Sequence, residues 1–292
     1  MNLTITTPNG RIGSQVTERL LAAGLRPTLL ARNPERVAVY AARGCGVKTG
    51  GLEDKEYLVE ATKGTDVLFW VTPGDPQSAD LRAMQNRMGE NVAAAVRTNH
   101  IPYVVNLSSM GAHHGKGTGP VDGLHDVEGL LESVAPNIVH LRPAFFMENV
   151  LMNMPTILGQ GAIFATLAGS TRLPMVATRD IAAAAAARIR AHDWHGRVVK
   201  GLHGPADISF EEVAIELGEV LHRKVAYVRI TTDALKQALV GAGLSQDMAN
   251  RYAELYDAAE SGWLRQGAEP RSAETATDTT FRQFAQQALG NP

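Results

Sequence analysis

Short apolar runs alternate with amphipathic stretches through the first half of the chain, and this alternation constrains the fold more than any other feature. Strand-like runs occur at 3–6, 27–31, 67–71, 102–108 and 137–142, with a weaker one at 47–49. Helical periodicity occurs between them, at about 12–23, 34–43, 53–63, 78–98 and 124–134. Strands that are apolar on both faces and separated by helices are typical of a parallel sheet covered on both sides. The pattern therefore predicts an α/β fold with a doubly wound parallel sheet of the Rossmann type.

The spacing changes after about residue 143. Shorter strand candidates lie at 173–176, 198–202 and 225–230, helical stretches at 179–191 and 209–221, and a polar connector at 265–278 before a last helix at 279–289. We therefore predict a Rossmann domain at 1–143 and a smaller α/β lobe at 144–292 that returns some of its strands to the main sheet. The sequence leaves open whether residues 231–264 cover a ligand or bind a partner.

The composition argues against several classes of function. With 45% hydrophobic and 20% charged residues the chain is typical of a soluble globular protein, and its net charge of −2 gives no reason to expect nucleic acid as a partner. Cys45 is the only cysteine, so no intrachain disulfide can form, which fits a cytoplasmic location. Polar residues and glycines interrupt the uncharged segment 149–171, and no signal-like region precedes the first strand, so we expect neither membrane insertion nor export.

A tight corner separates the first strand from the first helix in TITTPNGRIGSQV, residues 4–16. Such a turn is where a pyrophosphate docks, because the free N–H groups and the dipole of the helix attract negative charge. The usual glycine spacing falls here on Thr7, Gly10 and Gly13, so a threonine replaces the first glycine. Gly10 would lie at the phosphate and Gly13 where the helix packs on the strand, with Arg11 and Ile12 between them. An ordinary tight turn is the alternative.

The second strand ends in LLARNPERV, which places Arg32 where NAD-binding proteins carry an acidic residue, about 20 residues beyond the glycines. A guanidinium cannot accept hydrogen bonds from ribose hydroxyls, but it can pair with a 2′-phosphate through two bonds. The substitution therefore predicts NADP(H) as the cofactor, with NAD(H) less favoured. A solvent-exposed arginine at the start of a loop is the alternative.

Six stretches resemble the NmrA-like family, a group of atypical short-chain dehydrogenases/reductases. They are TTPNGRIG, ARNPERV, LSSMGAHHGKGTGPVDGLHDVEGLL, LRPAFFMENVL, LPMVATRDIA and GPADISFEEVAIELGEVL, and the resemblance runs from residue 3 to about residue 265. It implies a Rossmann domain that binds NADP(H) and a small C-terminal lobe that closes a cleft over the nicotinamide.

The same resemblance implies which side chains border the ligands. The turn after the fourth strand and the end of the fifth strand would border the cofactor, and the RPAFFMEN segment would lie beside the nicotinamide and ribose. Core packing is the alternative for the two phenylalanines. Outside the corner and Arg32, the candidate cofactor residues are Thr72, Pro73, Ser108, Pro143, Phe145 and Phe146, and the candidate substrate-cleft residues are Ser109, His113 and Asn149.

The usual proton donor of the superfamily is missing. Members with reductase chemistry commonly use a Tyr and a Lys four residues later, and, counted back from Glu128, these places fall on Pro120 and Leu124. Neither side chain can transfer a proton, so dehydrogenase activity cannot simply be inherited. His125 is adjacent to the lost lysine position and is the candidate catalytic residue, because imidazole donates a proton well near neutral pH. A structural role at the start of its helix is the alternative.

Other chemistries lack their signatures. The sequence has no HExxH spacing, no paired cysteines and no carboxylate cluster, so we predict no metal site. The stretch NLSSMG lacks the glycine that precedes a hydrolase nucleophile by two residues.

These features predict an NADP(H)-dependent reductase that passes hydride to a conjugated small-molecule acceptor such as a quinone or enone. A delocalised acceptor tolerates the missing Tyr/Lys pair, because water can protonate it after the hydride arrives. The alternative is a redox-responsive protein in which NADP(H) occupancy controls binding of a regulatory protein partner without turnover. A homodimer is compatible with either function.

Overall fold

The computed structural model describes residues 1–290, so the last two residues of the predicted lobe lie outside it. The strands are β1 (Leu3–Thr6), β2 (Thr28–Ala31), β3 (Gly46–Thr49), β4 (Val67–Val71), β5 (Tyr103–Leu107), β6 (Asn137–Pro143), β7 (Phe145–Phe146), β8 (Ala162–Ala165), β9 (Arg172–Val176), β10 (Gly196–Leu202), β11 (Asp207–Ser209) and β12 (Ala226–Arg229). The α-helices are α1 (Arg11–Ala22), α2 (Ala38–Ala41), α3 (Lys55–Ala61), α4 (Leu81–Asn99), α5 (Asp122–Glu132), α6 (Met154–Gln160), α7 (Thr178–Ala191), α8 (Phe210–Val220), α9 (Thr232–Gly241), α10 (Gln246–Glu260) and α11 (Phe281–Leu289). Short 3₁₀ helices lie at Pro34–Val37, Gly119–Val121, Met147–Asn153 and Trp263–Arg265.

Seven strands form the main sheet in the order β3-β2-β1-β4-β5-β6-β10. Every neighbouring pair in this sheet is parallel. The order reverses between β1 and β4, and in doubly wound sheets ligands bind in the crevice beyond the carboxyl ends of the strands at this reversal. The predicted Rossmann-type fold is confirmed.

The apolar strands are buried on both faces of the sheet, as their composition predicts. In β4, Phe69 belongs to the hydrophobic cluster on one face and Trp70 to the cluster on the other. Helices α1 and α7 cover the first face, with Leu20 and Ile181 in the cluster, and helices such as α4 cover the second face, for example through Val92. Parallel strands cannot close by hairpins, so the crossover helices supply both layers.

A buried threonine fixes the two strands at the reversal point. The Thr6 hydroxyl donates a hydrogen bond to the carbonyl of Phe69 at 3.1 Å and accepts one from the backbone N–H of Val71 at 2.9 Å. Because Thr6 ends β1 and Val71 ends β4, this side chain sets the separation of the two strand ends that border the crevice.

The second half of the chain contributes to both parts of the structure. Strand β10 extends the main sheet beside β6, whereas β7, β9 and β11 form a three-stranded sheet and β8 pairs with β12. A separate hydrophobic cluster, which includes Phe210 and Leu217 of α8, fills the lobe. The sequence did not predict β7, β8 and β11, and of these β7 has only two residues and β11 only three, which is too short for a periodic pattern.

A helix that crosses a bilayer needs about 20 consecutive, predominantly apolar residues. None of the helices between residues 1 and 290 is both long and apolar enough to cross a membrane.

Candidate active site

In the corner after β1, the backbone at Thr7 lies very close to the backbone at the start of α1. The N–H of Gly10 donates a hydrogen bond to the carbonyl of Thr7 at 2.9 Å, and Thr7 has a φ of 49°, the left-handed region that favours glycine. A Cβ atom on Gly13 would lie 2.2 Å from the same Thr7 carbonyl oxygen. Only glycine at position 13 therefore lets α1 pack this closely on the strand.

The N-terminus of α1 is open toward the crevice. Gly10 is its N-cap, with no side chain capping the first turn and no acidic residue in that turn. The first N–H groups of a helix have no acceptor within the helix, and together with the helix dipole they attract anions. A Cβ atom on Gly10 would lie 3.2 Å from the Thr7 carbonyl oxygen, so the corner has little room for a side chain. This cradle fits the pyrophosphate of a dinucleotide.

A buried side chain of β4 fixes the turn that follows this strand. The indole N–H of the fully buried Trp70 donates a hydrogen bond to the hydroxyl of Thr72 at 2.8 Å. Thr72 and Pro73 then turn into the crevice beside the corner and line its cavity. The two residues share this lining with Thr7 and Gly10, and their contact with a cofactor stays a prediction.

The end of β5 supplies two serines. The backbone N–H of Ser108 donates to the carbonyl of Leu141 at 2.8 Å, and Met110 donates to Pro143 at 2.9 Å, so this segment follows the end of β6. The Ser108 hydroxyl is buried and interacts with the carboxyl of Glu128 on α5, whose pKa it helps to lower. Its partner therefore lies behind the cavity wall.

One cavity of about 490 Å³ connects these strand ends to the lobe. Its first wall consists of the residues that follow the strands of the main sheet. Its second wall consists of residues from α4, the 118–124 region and the lobe. The first wall includes Thr7, Gly10, Arg11, Ile12, Gly13, Thr72, Pro73, Ser108, Ser109, Pro143, Phe145, Phe146 and Asn149, and the second includes Leu81, Gln85, Pro120, Leu124, Leu173, Met248, Tyr252, Leu255 and Leu264. The cavity thus brings together all but three of the predicted site residues.

The two phenylalanines line the cavity and also pack into the structure behind it. The ring of Phe145 lies edge-on to Phe210 at a centroid distance of 6.0 Å and is tilted against Tyr256 at 6.4 Å. Phe146 packs against the cluster of the main sheet. Each ring therefore packs against the core and also borders the cavity, and contact with the nicotinamide stays a prediction.

Arg32 lies outside the cavity lining. Its side chain is 78% exposed beyond the end of β2, and the nearest carboxylate oxygen, on Glu53, is 4.0 Å from its guanidinium. A contact with a 2′-phosphate remains a prediction that depends on how far a bound ribose extends along the edge of the sheet.

His125 does not line the cavity, and its hydrogen bond agrees with the structural alternative, so a catalytic role stays a prediction. Its Nδ1 donates a hydrogen bond to the carbonyl of Ala112 at 2.6 Å, which ties the helix to the preceding loop. The physical reason is the helix itself: consecutive residues point about 100° apart, so Leu124 faces the cavity and His125 faces the loop.

His113 also lies outside the cavity lining, so its predicted place in the substrate cleft stays a prediction. Its Nε2 donates to the carbonyl of Gln266 at 2.7 Å, and the adjacent His114 ring stacks on Trp263 at 3.8 Å. Burial lowers the pKa of His114. The two histidines join the 110–118 loop to the lobe.

The places of the lost Tyr/Lys pair are part of the cavity wall. Pro120 and Leu124 both line it, and the side-chain amide of the buried Gln85 donates to the Pro120 carbonyl at 3.2 Å. Tyr252, on α10, also lines the cavity, and the sequence did not predict it. No motif marks it, and only the three-dimensional position of the 231–264 segment could have identified it.

A sequence profile of the NmrA-like family matches residues 1–284. The chain belongs to the NmrA-like family. Among its relatives, the NAD(P)H azoreductase of Xenophilus azovorans is 29% identical over 255 residues, covering 87% of this chain and 86% of the relative. The (4-alkanoyl-5-oxo-2,5-dihydrofuran-3-yl)methyl phosphate reductase of Streptomyces griseus is 31% identical over 240 residues, covering 81% of this chain and 79% of the relative.

The NmrA-like fold is also seen in a solved structure. Quinone oxidoreductase 2 of Escherichia coli is 28% identical over 268 residues, covering 90% of this chain and 89% of the relative. The crystal structure of an NADPH-dependent quinone oxidoreductase from the same species superposes with a TM-score of 0.81 at 22% identity, covering 99% of this chain and 100% of that chain. The similarity therefore extends over both halves of the NmrA-like chain.

In this NmrA-like protein a buried ion pair joins α5 to β6 beside the cavity. Arg142 donates to both carboxylate oxygens of Glu128, at 3.0 and 2.6 Å, and a third group, Glu269, lies 3.3 Å from the guanidinium. Burial is the largest single influence on the Glu128 carboxyl and would raise its pKa, but the bonds and charge of Arg142, together with His140 and Ser108, outweigh burial and hold that pKa below its ordinary value. The pair fixes α5, and with it Leu124, against the end of β6.

Glu128 also belongs to the one group of possible metal ligands among residues 1–290. It has Glu132 and His140 as neighbours, with ligand atoms within 4.8 Å of one another. Arg142 pairs with Glu128, and Arg197 pairs with Glu132 at 2.5 Å. Two guanidiniums already balance the two carboxylates, so the group is an internal ion-pair network.

Proposed function

We propose that this NmrA-like protein is an NADP(H)-dependent reductase of conjugated acceptors such as quinones and enones. The observation that carries the proposal is the single cavity that runs from the anion-binding corner after β1 to apolar side chains of the lobe. A protein that only sensed the cofactor would need the first wall, but it would not need an apolar space beside it.

The first wall supports cofactor binding. Gly10 and the open helix N-terminus would hold the pyrophosphate. When bound, NADPH supplies a hydride from C4 of its nicotinamide. Exclusion of water by Phe145, Phe146 and the lobe would protect that hydride from side reactions.

The second wall supports an apolar, flat acceptor. Met248, Leu255 and Leu264 face the space beside the strand ends, and the charged side chains among the described lining residues are those of Arg11 and Arg265. The apolar part of this wall suits a flat, uncharged ring. The names of the three relatives support a conjugated acceptor, because an azo compound, a dihydrofuranone and a quinone all delocalise the charge that a hydride brings.

The experiment that tests the proposal is spectrophotometric. Purified protein is mixed with NADPH and a panel of quinones, enones and azo compounds, and cofactor oxidation is followed at 340 nm with protein-free and acceptor-free controls. We expect turnover with at least one conjugated acceptor. If every rate equals the protein-free rate, the reductase proposal is wrong.

A second candidate function rests on a specific observation, the occupation of the Tyr/Lys places by Pro120 and Leu124. The protein would then bind NADP(H) without turnover and pass its redox state to a regulatory protein or to a second copy of itself. This proposal predicts that NADPH and NADP⁺ change self-association by different amounts in analytical ultracentrifugation. For either function we propose a cytoplasmic location, which fits the unpaired, buried Cys45.

A further inference from the structure

The loop that carries the lost tyrosine position packs directly on a helix of the lobe. Gly119 has a φ of 65°, and a Cβ atom on it would lie 2.1 Å from the backbone oxygen of Arg251 and 3.0 Å from the backbone nitrogen of Leu255. Glycine is needed here because the backbone of α10 occupies the space of a side chain. The next residue in the loop, Pro120, lines the cavity at the place where related reductases carry the phenol.

Ion pairs hold this contact in register. The Arg251 guanidinium lies 3.6 Å from Asp122 and 3.5 Å from Asp247, so it links α10 to the start of α5. Asp122 in turn accepts hydrogen bonds from the backbone N–H and the hydroxyl of Thr118, at 2.9 and 2.7 Å. Both ends of the 118–122 loop are therefore fixed to the same part of α10.

Tyr252 follows Arg251 on α10 and lines the cavity. Among residues 1–290 its hydroxyl forms no hydrogen bond, and burial raises its pKa, so the phenol is protonated at neutral pH. The remaining hydroxyls and guanidiniums of the cavity wall are those of Thr, Ser and Arg, which hold their protons too strongly to act as acids near pH 7. Tyr252 is thus the most acidic side chain among the described lining residues.

We propose that Tyr252 is the proton donor of the reductase, supplied from the lobe in place of the tyrosine lost at Pro120. The inference rests on the proposed reductase function. In the reduction of an enone, hydride adds to the β-carbon with its two electrons, and negative charge develops on the carbonyl oxygen. The O–H bond of Tyr252 breaks as a new O–H bond forms on that oxygen, giving the enol, which becomes the ketone in water. The Tyr252 phenolate regains its proton from solvent, so one NADPH and one proton are consumed per acceptor.

The chain offers a matched control one helical turn away. Tyr256 is also on α10, but its ring packs against Phe145 and it does not line the cavity. Tyr252→Phe and Tyr256→Phe each remove one hydroxyl from the same helix, so a general effect on the lobe would appear in both variants.

Two measurements test the assignment. In the first, the quinone or enone turned over fastest by the wild type is used as the acceptor, and Tyr252→Phe should lower kcat about 10²-fold while Tyr256→Phe stays within about twofold. In the second, titration calorimetry follows binding of the same acceptor to protein saturated with NADP⁺, which cannot reduce it. Tyr252→Phe should weaken this binding about fivefold, as expected for one lost hydrogen bond, and should leave NADP⁺ affinity unchanged.

The outcomes separate the inference from the proposed function. Turnover by the wild type together with unchanged kcat and acceptor affinity in Tyr252→Phe would overturn the role of Tyr252 and leave the reductase in place. Equal losses in Tyr252→Phe and Tyr256→Phe would show a structural effect and would also overturn it. Absence of any wild-type turnover would overturn the reductase proposal, and the inference with it.

Discussion

The carbonyl oxygen of Thr7 lies 2.2 Å from the point that a Cβ atom on Gly13 would occupy. Gly13→Ala must therefore move either the start of α1 or the Thr7 peptide, and both line the cavity. We expect the free energy of unfolding to fall by about 1–3 kcal/mol, as for other overpacked sites, and NADPH affinity to fall with it. Urea unfolding and titration calorimetry measure the two effects.

Gly129→Ala is the matched control for this substitution. Gly129 lies on the exposed side of α5, and a Cβ atom there would meet nothing within 4 Å. Alanine should stabilise this helix by about 0.5–1 kcal/mol without changing cofactor affinity. Equal stability of the Gly13→Ala and Gly129→Ala proteins would show that the corner relaxes freely.

Gly10→Val tests the anion cradle itself. A branched side chain at the N-cap of α1 would occupy the approach of the pyrophosphate, so binding of both NADPH and NADH should be lost. Thermal unfolding of the protein without cofactor should shift less than in Gly13→Ala, because a Cβ atom on Gly10 would lie 3.2 Å from the Thr7 carbonyl oxygen, whereas one on Gly13 would lie at 2.2 Å. Calorimetric affinities equal to those of the wild type would mean that the corner is only a turn.

Cofactor choice is tested at Arg32. If its guanidinium pairs with the 2′-phosphate, Arg32→Ala should weaken NADPH binding by about 1.5–3 kcal/mol, the value of a charged hydrogen bond, and leave NADH nearly unchanged. Arg36→Ala removes another exposed arginine from the same segment and should change neither affinity. A wild type that binds NADH as tightly as NADPH would contradict the prediction.

The pair of Glu128 and Arg142 predicts how stability depends on pH. The pKa of Glu128 is lower in the folded protein than in the unfolded chain, so its stabilisation is complete above about pH 4.5 and is lost as the pH falls through the folded pKa. Glu128→Gln leaves the buried Arg142 poorly compensated and should cost about 3 kcal/mol at pH 7. The difference from the wild type should shrink in urea unfolding at acidic pH.

The control for this pair is Glu56→Gln, which removes an exposed carboxylate at the start of α3. It should change the unfolding free energy by less than about 0.5 kcal/mol. A constant difference between wild type and Glu128→Gln from pH 7 to below pH 4 would show that Glu128 does not titrate with folding.

Residues that belong to the main sheet were predictable because each obeys a local rule. Thr7, Gly10 and Gly13 follow a strand at a fixed spacing, whereas Thr72 and Ser108 were implied by the family resemblance. The order of the parallel sheet brings all five to one edge.

Positions that depend on the orientation of a helix or on the lobe are harder to predict from the sequence. His125 is next to a cavity residue in the sequence, but one step along a helix turns the side chain by about 100°. Tyr252 reaches the cavity because the backbone of α10 packs directly on Gly119, where a side chain would not fit. Hydrophobic periodicity does not predict such a contact between distant segments.

The cavity wall is formed by segments that the ribosome synthesises at very different times. Thr7 and the strand ends emerge early, whereas α10, with Tyr252, is translated after nearly all of the main sheet. Since domains fold as they emerge, the nascent Rossmann half would present its crevice to water and to chaperones before the lobe covers it. Translation order therefore leaves the acceptor side of the pocket as the last part of the molecule to be completed.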